Sequence, residues 1–138
     1  MRVFLDTNVL VSAFATRGLC ADLLELVLLE HDLVLGRQVV RELKRALRSK
    51  LKIPPSRTRE ITDFVVEEAV QVIDAAQPAV VHADADDALV LGKAISAHAN
   101  LFVTGDAALL KLSEIGNMQI VSPRQFWERL HTRKKVID

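Results

Sequence analysis

The sequence predicts an α/β domain: a parallel β-sheet covered by helices on both faces. Three observations carry that expectation. Aliphatic segments alternate with segments of helical periodicity, the order that produces right-handed β–α–β crossovers. The candidate strands are apolar without interruption, as in Val3-Phe4-Leu5 and Leu101-Phe102-Val103, which suits strands buried on both sides. Half of the 138 residues are hydrophobic, yet the aromatics are five Phe and one Trp, with no Tyr, so the core must be built from Leu, Val, Ile and Ala. The length suits one domain. No repeat, low-complexity tract or linker divides it, and a single domain over 1–138 is expected.

Arg2–Leu5 reads as a short buried strand. Helices are expected over 8–15 and, after Gly18, over 20–30. A second strand over 32–35 stops at Gly36. Arg37–Ser49 is a helix, with Val39, Val40, Leu43 and Leu47 near helical spacing. Pro54-Pro55-Ser56 interrupts the chain and caps a helix over 57–72. Val80-Val81 is expected as a strand remnant, 84–98 as a helix, 101–104 as a strand closed by Gly105, and 106–112 as a short helix. Met118–Val121 is the last strand. Ser122-Pro123 then opens a terminal helix over 123–130, with Ser as N-cap and Pro in the first helical position.

Cysteine and histidine exclude some chemistry. Cys20 is alone, so neither an internal disulfide nor a Cys-based zinc site can form. His31, His82, His98 and His131 match no zinc spacing. A charge at Asp6, after three apolar residues, argues against a signal peptide. No apolar run approaches the length of a membrane span. A soluble, cytoplasmic protein without a membrane partner is expected. The net charge is +0, but its distribution is uneven. Between residues 37 and 59 there are nine Lys or Arg and one acid, Glu42, and residues 131–135 are also basic. Such asymmetry suggests one face for an anionic partner, although a solvated helix surface would look the same.

Ligands of parallel sheets bind at the carboxyl ends of the strands. Asp6 follows the first strand directly, Asp106 follows a later one in Val103-Thr104-Gly105-Asp106, and Asp87 lies in the first turn of its helix in Asp84-Ala85-Asp86-Asp87. Each Asp alone suits helix capping, worth about 1 kcal/mol, or the helix dipole. Together the three Asp, with Glu42 from the basic stretch, point elsewhere, because Ser, Thr or Asn would cap as well. Carboxylates gathered at one sheet edge repel one another unless a cation lies between them. Hard divalent cations take such oxygen ligands and assist phosphodiester cleavage. Lys and Arg beside an acidic pocket would hold the phosphates.

Four motifs resemble those of the PIN-domain family: Asp6-Thr7-Asn8, Glu42-Leu43, the helix Asp87-Ala88-Leu89-Val90-Leu91-Gly92-Lys93-Ala94, and Val103-Thr104-Gly105-Asp106 with Leu109-Leu110 behind it. They stand in the family's order and run nearly the whole chain. The likeness is to its VapC-type branch, the toxin components of toxin–antitoxin systems. Two departures stand out. Ala85 occupies the place where that branch usually has Pro, and Gln38 replaces a small polar residue.

The resemblance implies a three-layer PIN-like fold with a roughly five-stranded parallel sheet. It implies Mg²⁺- or Mn²⁺-dependent endoribonuclease activity on RNA, a cognate antitoxin partner and a homodimer. Carried over residue by residue, Asp6, Glu42, Asp87 and Asp106 are the catalytic set. Asp6, Asp87 and Asp106 are the metal ligands, and Glu42 orients a water or takes its proton. Asn8, Thr104 and, marginally, Asp84 support them, and Asp86 is a first-turn charge. Arg41, Lys44 and Arg48 are the candidate RNA contacts.

Rival functions fit less well. A receiver-like phosphoacceptor would need a Lys ending its last strand, which here ends Ile120-Val121-Ser122. A phosphatase with an Asp nucleophile would need Asp-x-Asp where Asp6-Thr7-Asn8 stands. The remaining alternative is a PIN-type module that binds nucleic acid or acts as a scaffold without turnover. Four intact acids speak against it.

Overall fold

The computed structural model describes residues 1–137, with side chains through 132. Its elements in chain order are β1 (Arg2–Leu5), α1 (Thr7–Ala15), α2 (Leu19–Glu30), β2 (Asp32–Gly36), α3 (Arg37–Ser49), α4 (Pro55–Glu68), β3 (Gln71–Ile73), α5 (Ala85–Ser96), β4 (Leu101–Val103), α6 (Ala107–Leu110), β5 (Glu114–Ile115), β6 (Met118–Val121) and α7 (Pro123–Ile137). The sheet order is β3-β2-β1-β4-β6-β5. All neighbouring pairs are parallel except β5–β6. The expected α/β architecture is therefore present, with five parallel strands and one short antiparallel addition at the edge.

Successive strand residues face opposite sides of a sheet. In β1, Val3, Phe4 and Leu5 are all fully buried, as are Phe102 and Val103 in β4, so helices cover both faces. Phe4 and Phe102 pair in register and stack at 5.0 Å between ring centroids. On α3, Val39, Val40, Leu43, Ala46 and Leu47 face inward, while Arg41, Lys44, Arg45 and Arg48 are exposed. In α2, Leu23, Leu24 and Val27 are buried and Leu29 is exposed, which makes it a core helix. At the start of α7, Ser122 Oγ accepts the Gln125 N–H and the Gln125 side chain accepts the Ser122 N–H, a reciprocal cap. Within the basic 131–135 tail, the side chains of Arg133, Lys134 and Lys135 lie outside the described residues.

Two local expectations change. The helix expected to reach 72 ends at Glu68, and Gln71–Ile73 instead joins the sheet beside β2. The Val70 N–H donates to the Leu33 carbonyl at 2.8 Å. Pairing at an open sheet edge prevails there over helix continuation. The strand remnant expected at Val80-Val81 is a loop with Val80 fully exposed. That loop lies on α5: Ala79 N–H donates to the Ala88 carbonyl at 2.8 Å, and a Cβ on Gly92 would come within 2.0 Å of the Gln77 carbonyl oxygen. Only glycine admits the backbone so close. Among the described residues no helix is long and apolar enough to cross a membrane.

Candidate active site

The strand order reverses at β1 and β4, because β2 lies on one side of β1 and β4 on the other. Connections leaving their carboxyl ends diverge and open a crevice, the usual ligand site of such sheets. Asp6 and Asp106 follow those strands, and each is the N-cap of the next helix. Asp6 Oδ1 accepts the Thr7 N–H at 2.9 Å. Its Oδ2 accepts the Thr104 hydroxyl at 2.7 Å and the Asn8 amide at 3.3 Å. Thr104 is fully buried, and its Oγ1 also accepts the Asp106 N–H at 3.0 Å. Asn8 Oδ1 accepts the Gly105 N–H at 3.0 Å. Asn8 and Thr104 thus tie the two acid-bearing loops together across the crevice.

Asp87 comes from α5. Its N–H donates to Asp84 Oδ1 at 2.8 Å, so Asp84 is the helix cap. Glu42 comes from α3 and is held at both oxygens: Thr7 Oγ1 donates to Oε2 at 2.7 Å and Gln38 Nε2 to Oε1 at 3.2 Å. Behind Gln38 lies Lys93, whose Nζ donates to Gln38 Oε1 at 3.2 Å.

A cavity of about 580 Å³ is lined by Asp6, Glu42, Asp86 and Asp87 together with Gln38, Arg45 and Lys50. Asp106 opens instead into a neighbouring recess that shares Asn8 and Ser12 with the cavity. The acids sense one another. Burial raises the Asp6 carboxyl above its ordinary value, with Glu42 and Asp106 adding to the rise and hydrogen bonds from Thr104 and the Thr7 N–H opposing it. Asp87 is raised by burial first, then by Asp84, Asp106 and Asp6.

Among the described residues no group of three or more His, Cys, Asp or Glu is gathered closely enough to hold an ion. Asp6 and Asp106 each turn a carboxylate oxygen toward a backbone N–H group at their helix starts. The donor chemistry nonetheless fits a hard divalent cation, since it consists of carboxylates with no thiolate or imidazole among them. Neighbouring acids add to burial in disfavouring the charged form of two of these carboxyls, Asp6 and Asp87.

The cations of α3 and of the turn after it divide between two spaces. Arg45 and Lys50 line the acid cavity. Arg41, Lys44 and Arg48 line an adjacent shallow groove that shares Arg45 and Ser49 with it. Helical spacing contained the signal. Gln38, Arg45 and Ser49 lie on the Glu42 side of α3, four before and three and seven after it, whereas residues 41, 44 and 48 lie on the flank. Among the described residues these five cations form no ion pair; Arg37 does, with Asp74 at 3.0 Å. Sequence reasoning also passed over Thr7, Gln38 and Lys93 as partners of the site, and assigned Asp86, which lines the cavity, to the helix dipole alone.

Comparison with known proteins supplies the family. No curated protein matches the sequence. The fold is similar to a chain in the crystal structure of VapBC2 from Rickettsia felis bound to a DNA fragment from their promoter. The TM-score is 0.63 at 19% identity, covering 88% of this chain and 98% of that one. At that identity the likeness concerns the fold. The family model of the PIN domain matches residues 2–108, a span that runs from β1 through the Asp106 loop and takes in every acid of the crevice: the chain belongs to the PIN domain family.

Proposed function

We propose that the protein is a Mg²⁺- or Mn²⁺-dependent endoribonuclease, the toxin of a toxin–antitoxin pair acting in the cytoplasm. The observation that carries this reading is the convergence of Asp6, Glu42 and Asp87 on one cavity, with Asp106 beside it and Arg45 and Lys50 on its wall. PIN domains generally use divalent metals, and the acids here repel one another in a way that a cation relieves. Asp6, Asp87 and Asp106 would hold the ion. A bound divalent cation supplies Lewis acidity to the phosphate and lowers the pKa of water.

The chain's own groups do the rest. Glu42, fixed by Thr7 and Gln38, orients the attacking water and accepts its proton. Asn8 and Thr104 keep Asp6 and the Asp106 loop in register. Asp84 holds the start of α5 and so the height of Asp87. Arg45 meets the phosphate nearest the cavity, and Arg41, Lys44 and Arg48 continue the track along the shallow groove. RNA is the favoured substrate through the resemblance to VapC-type proteins. The antitoxin and a homodimer are proposed partners on the same ground.

Purified protein incubated with labelled single-stranded RNA tests the reading. Cleavage should require Mg²⁺ or Mn²⁺ and stop in excess EDTA. Full-rate cleavage in EDTA, or RNA bound but never cut with either metal, contradicts it.

A further inference from the structure

Lys93 lines none of the cavity, yet among the described residues it is the one buried lysine, arginine or carboxylate, at 7% exposed. A buried ammonium is costly unless it is hydrogen-bonded. The fold makes room for it: a Cβ on Gly36 would lie 2.9 Å from Lys93 Cδ, so the lysine stem passes over the end of β2 where a side chain is missing. Nζ then meets Gln38 Oε1 at 3.2 Å, 55 residues away in sequence.

The chemistry of these groups gives the contact a direction. An ammonium only donates, whereas a glutamine amide has one accepting and one donating end. With Oε1 facing Lys93, Nε2 faces Glu42 Oε1 at 3.2 Å. Thr7 holds the other carboxylate oxygen at 2.7 Å. The Glu42 carboxylate only accepts, so both neighbours favour the same amide orientation; without the ammonium the amide keeps one of its two anchors and Oε1 loses its donor.

We propose that Lys93 is a positioning residue: from beneath the site it sets the Gln38 amide so that it donates to Glu42 and holds that carboxylate at the cavity wall. The effect on rate rests on the nuclease reading above; the orientation of the amide does not.

The test is a double-mutant cycle with Lys93→Met and Gln38→Leu, read by RNA cleavage, thermal melting and the NMR resonances of the Gln38 side-chain amide. Lys93→Met keeps the stem and removes the charge; it relieves the cost of a buried ammonium but leaves Gln38 Oε1 without its donor. Thermal melting shows that the variant is folded. Its kcat should fall about tenfold, as for other groups that orient a catalytic site from behind it, with KM little changed. In the Gln38→Leu background the same substitution should have almost no further effect on kcat, because residues acting through one another are not additive. The Gln38 amide resonances should shift in Lys93→Met. A wild-type rate in Lys93→Met, penalties that multiply, or unmoved amide resonances overturn the proposal. Should Lys93→Met fail to fold, Gly36→Ala displaces the lysine stem instead and must lower kcat in the same way; an unchanged kcat there overturns it. If the wild-type protein cuts no RNA, the nuclease reading fails and the amide resonances decide alone: a shift upholds the role of Lys93 and no shift overturns it.

Discussion

The Thr104 hydroxyl donates to Asp6 Oδ2 at 2.7 Å and accepts the Asp106 N–H at 3.0 Å. One buried side chain therefore sets the relation between two acids that the chain separates by a hundred residues. It does so at the crevice between β1 and β4, where their carboxyl ends part.

Thr104→Val removes this hydroxyl and keeps the shape. It leaves the Asp106 N–H without its acceptor and Asp6 without its shortest donor. A loss of about 1–3 kcal/mol of stability is expected for buried partners left unsatisfied. A fall in cleavage rate of about 10–100-fold is expected for a group that orients ligands. Thr104→Ser, which keeps the hydroxyl, should stay near wild type in both. Denaturant melts and cleavage assays on the pair decide the matter; equal losses in Ser and Val would assign the effect to packing.

Neutralising Arg41, Lys44 and Arg48 together should weaken RNA binding without abolishing cleavage at saturating RNA, because these side chains line the groove beside the cavity and not the cavity itself. The slope of log affinity against log salt should flatten by about 0.7 for each phosphate of a single strand that is no longer neutralised. Arg45→Gln should impair cleavage more than any one of the three, since Arg45 alone among these four belongs to both spaces. An unchanged salt slope in the triple variant would make the flank a solvated surface.

The acids also set a pH dependence. Burial, foremost, raises Asp6 and Asp87 above the ordinary Asp value. Over the range between the unfolded and folded values, the folded protein holds protons that the unfolded chain has released. The contribution of these two carboxyls to the stability of the metal-free protein is therefore fully present below about pH 4, the unperturbed Asp range, and is lost as pH rises through their raised values. Mg²⁺ should reverse the loss, since a ligand of the folded state stabilises it by mass action. Asp87→Asn should raise the metal-free melting temperature at neutral pH and diminish the Mg²⁺ gain. Asp6→Asn is the poorer probe, because three donors converge on that carboxylate and an amide would oppose one of them. Melting curves of wild type and Asp87→Asn from about pH 4 to pH 8 check this; a metal-free advantage of the variant that does not grow with pH would contradict it.

The sequence was most legible where one pattern had one reading. Uninterrupted apolar runs at Val3-Phe4-Leu5 and Leu101-Phe102-Val103 suit burial on both sides, and they form the middle of the sheet. Asp6, Asp106 and the helix bearing Asp87 stood out because strand ends and helix starts are visible in sequence. The edges were less legible. Gln71–Ile73 carries β-branched residues at the end of a helical pattern, and only the free edge of β2 decides its fate. Glu114–Ile115 pairs with β6 where Gly116, at φ +57°, turns the chain back. On α3 the basic residues are plain to see, but charge alone does not say which of them share the Glu42 side, and so Arg45 does not stand out from its neighbours. The Lys93–Gln38 hydrogen bond joins two helices with no shared motif, and no sequence pattern announces it.

The most direct measurement is single-turnover cleavage of RNA by Asp87→Asn and wild type, in saturating Mg²⁺ and Mn²⁺, with both proteins shown by circular dichroism to be folded. Asp87 lines the cavity and feels Asp84, Asp106 and Asp6, yet its carboxylate is not the cap of its helix, a role that Asp84 fills. Removing a proposed direct ligand should cost more than the factor of about 10–100 seen when supporting groups are removed. The account predicts a fall of more than about 100-fold with the melting temperature preserved or raised. Cleavage by Asp87→Asn at the wild-type rate would contradict it, because the carboxylates at this crevice would then not be the catalytic centre.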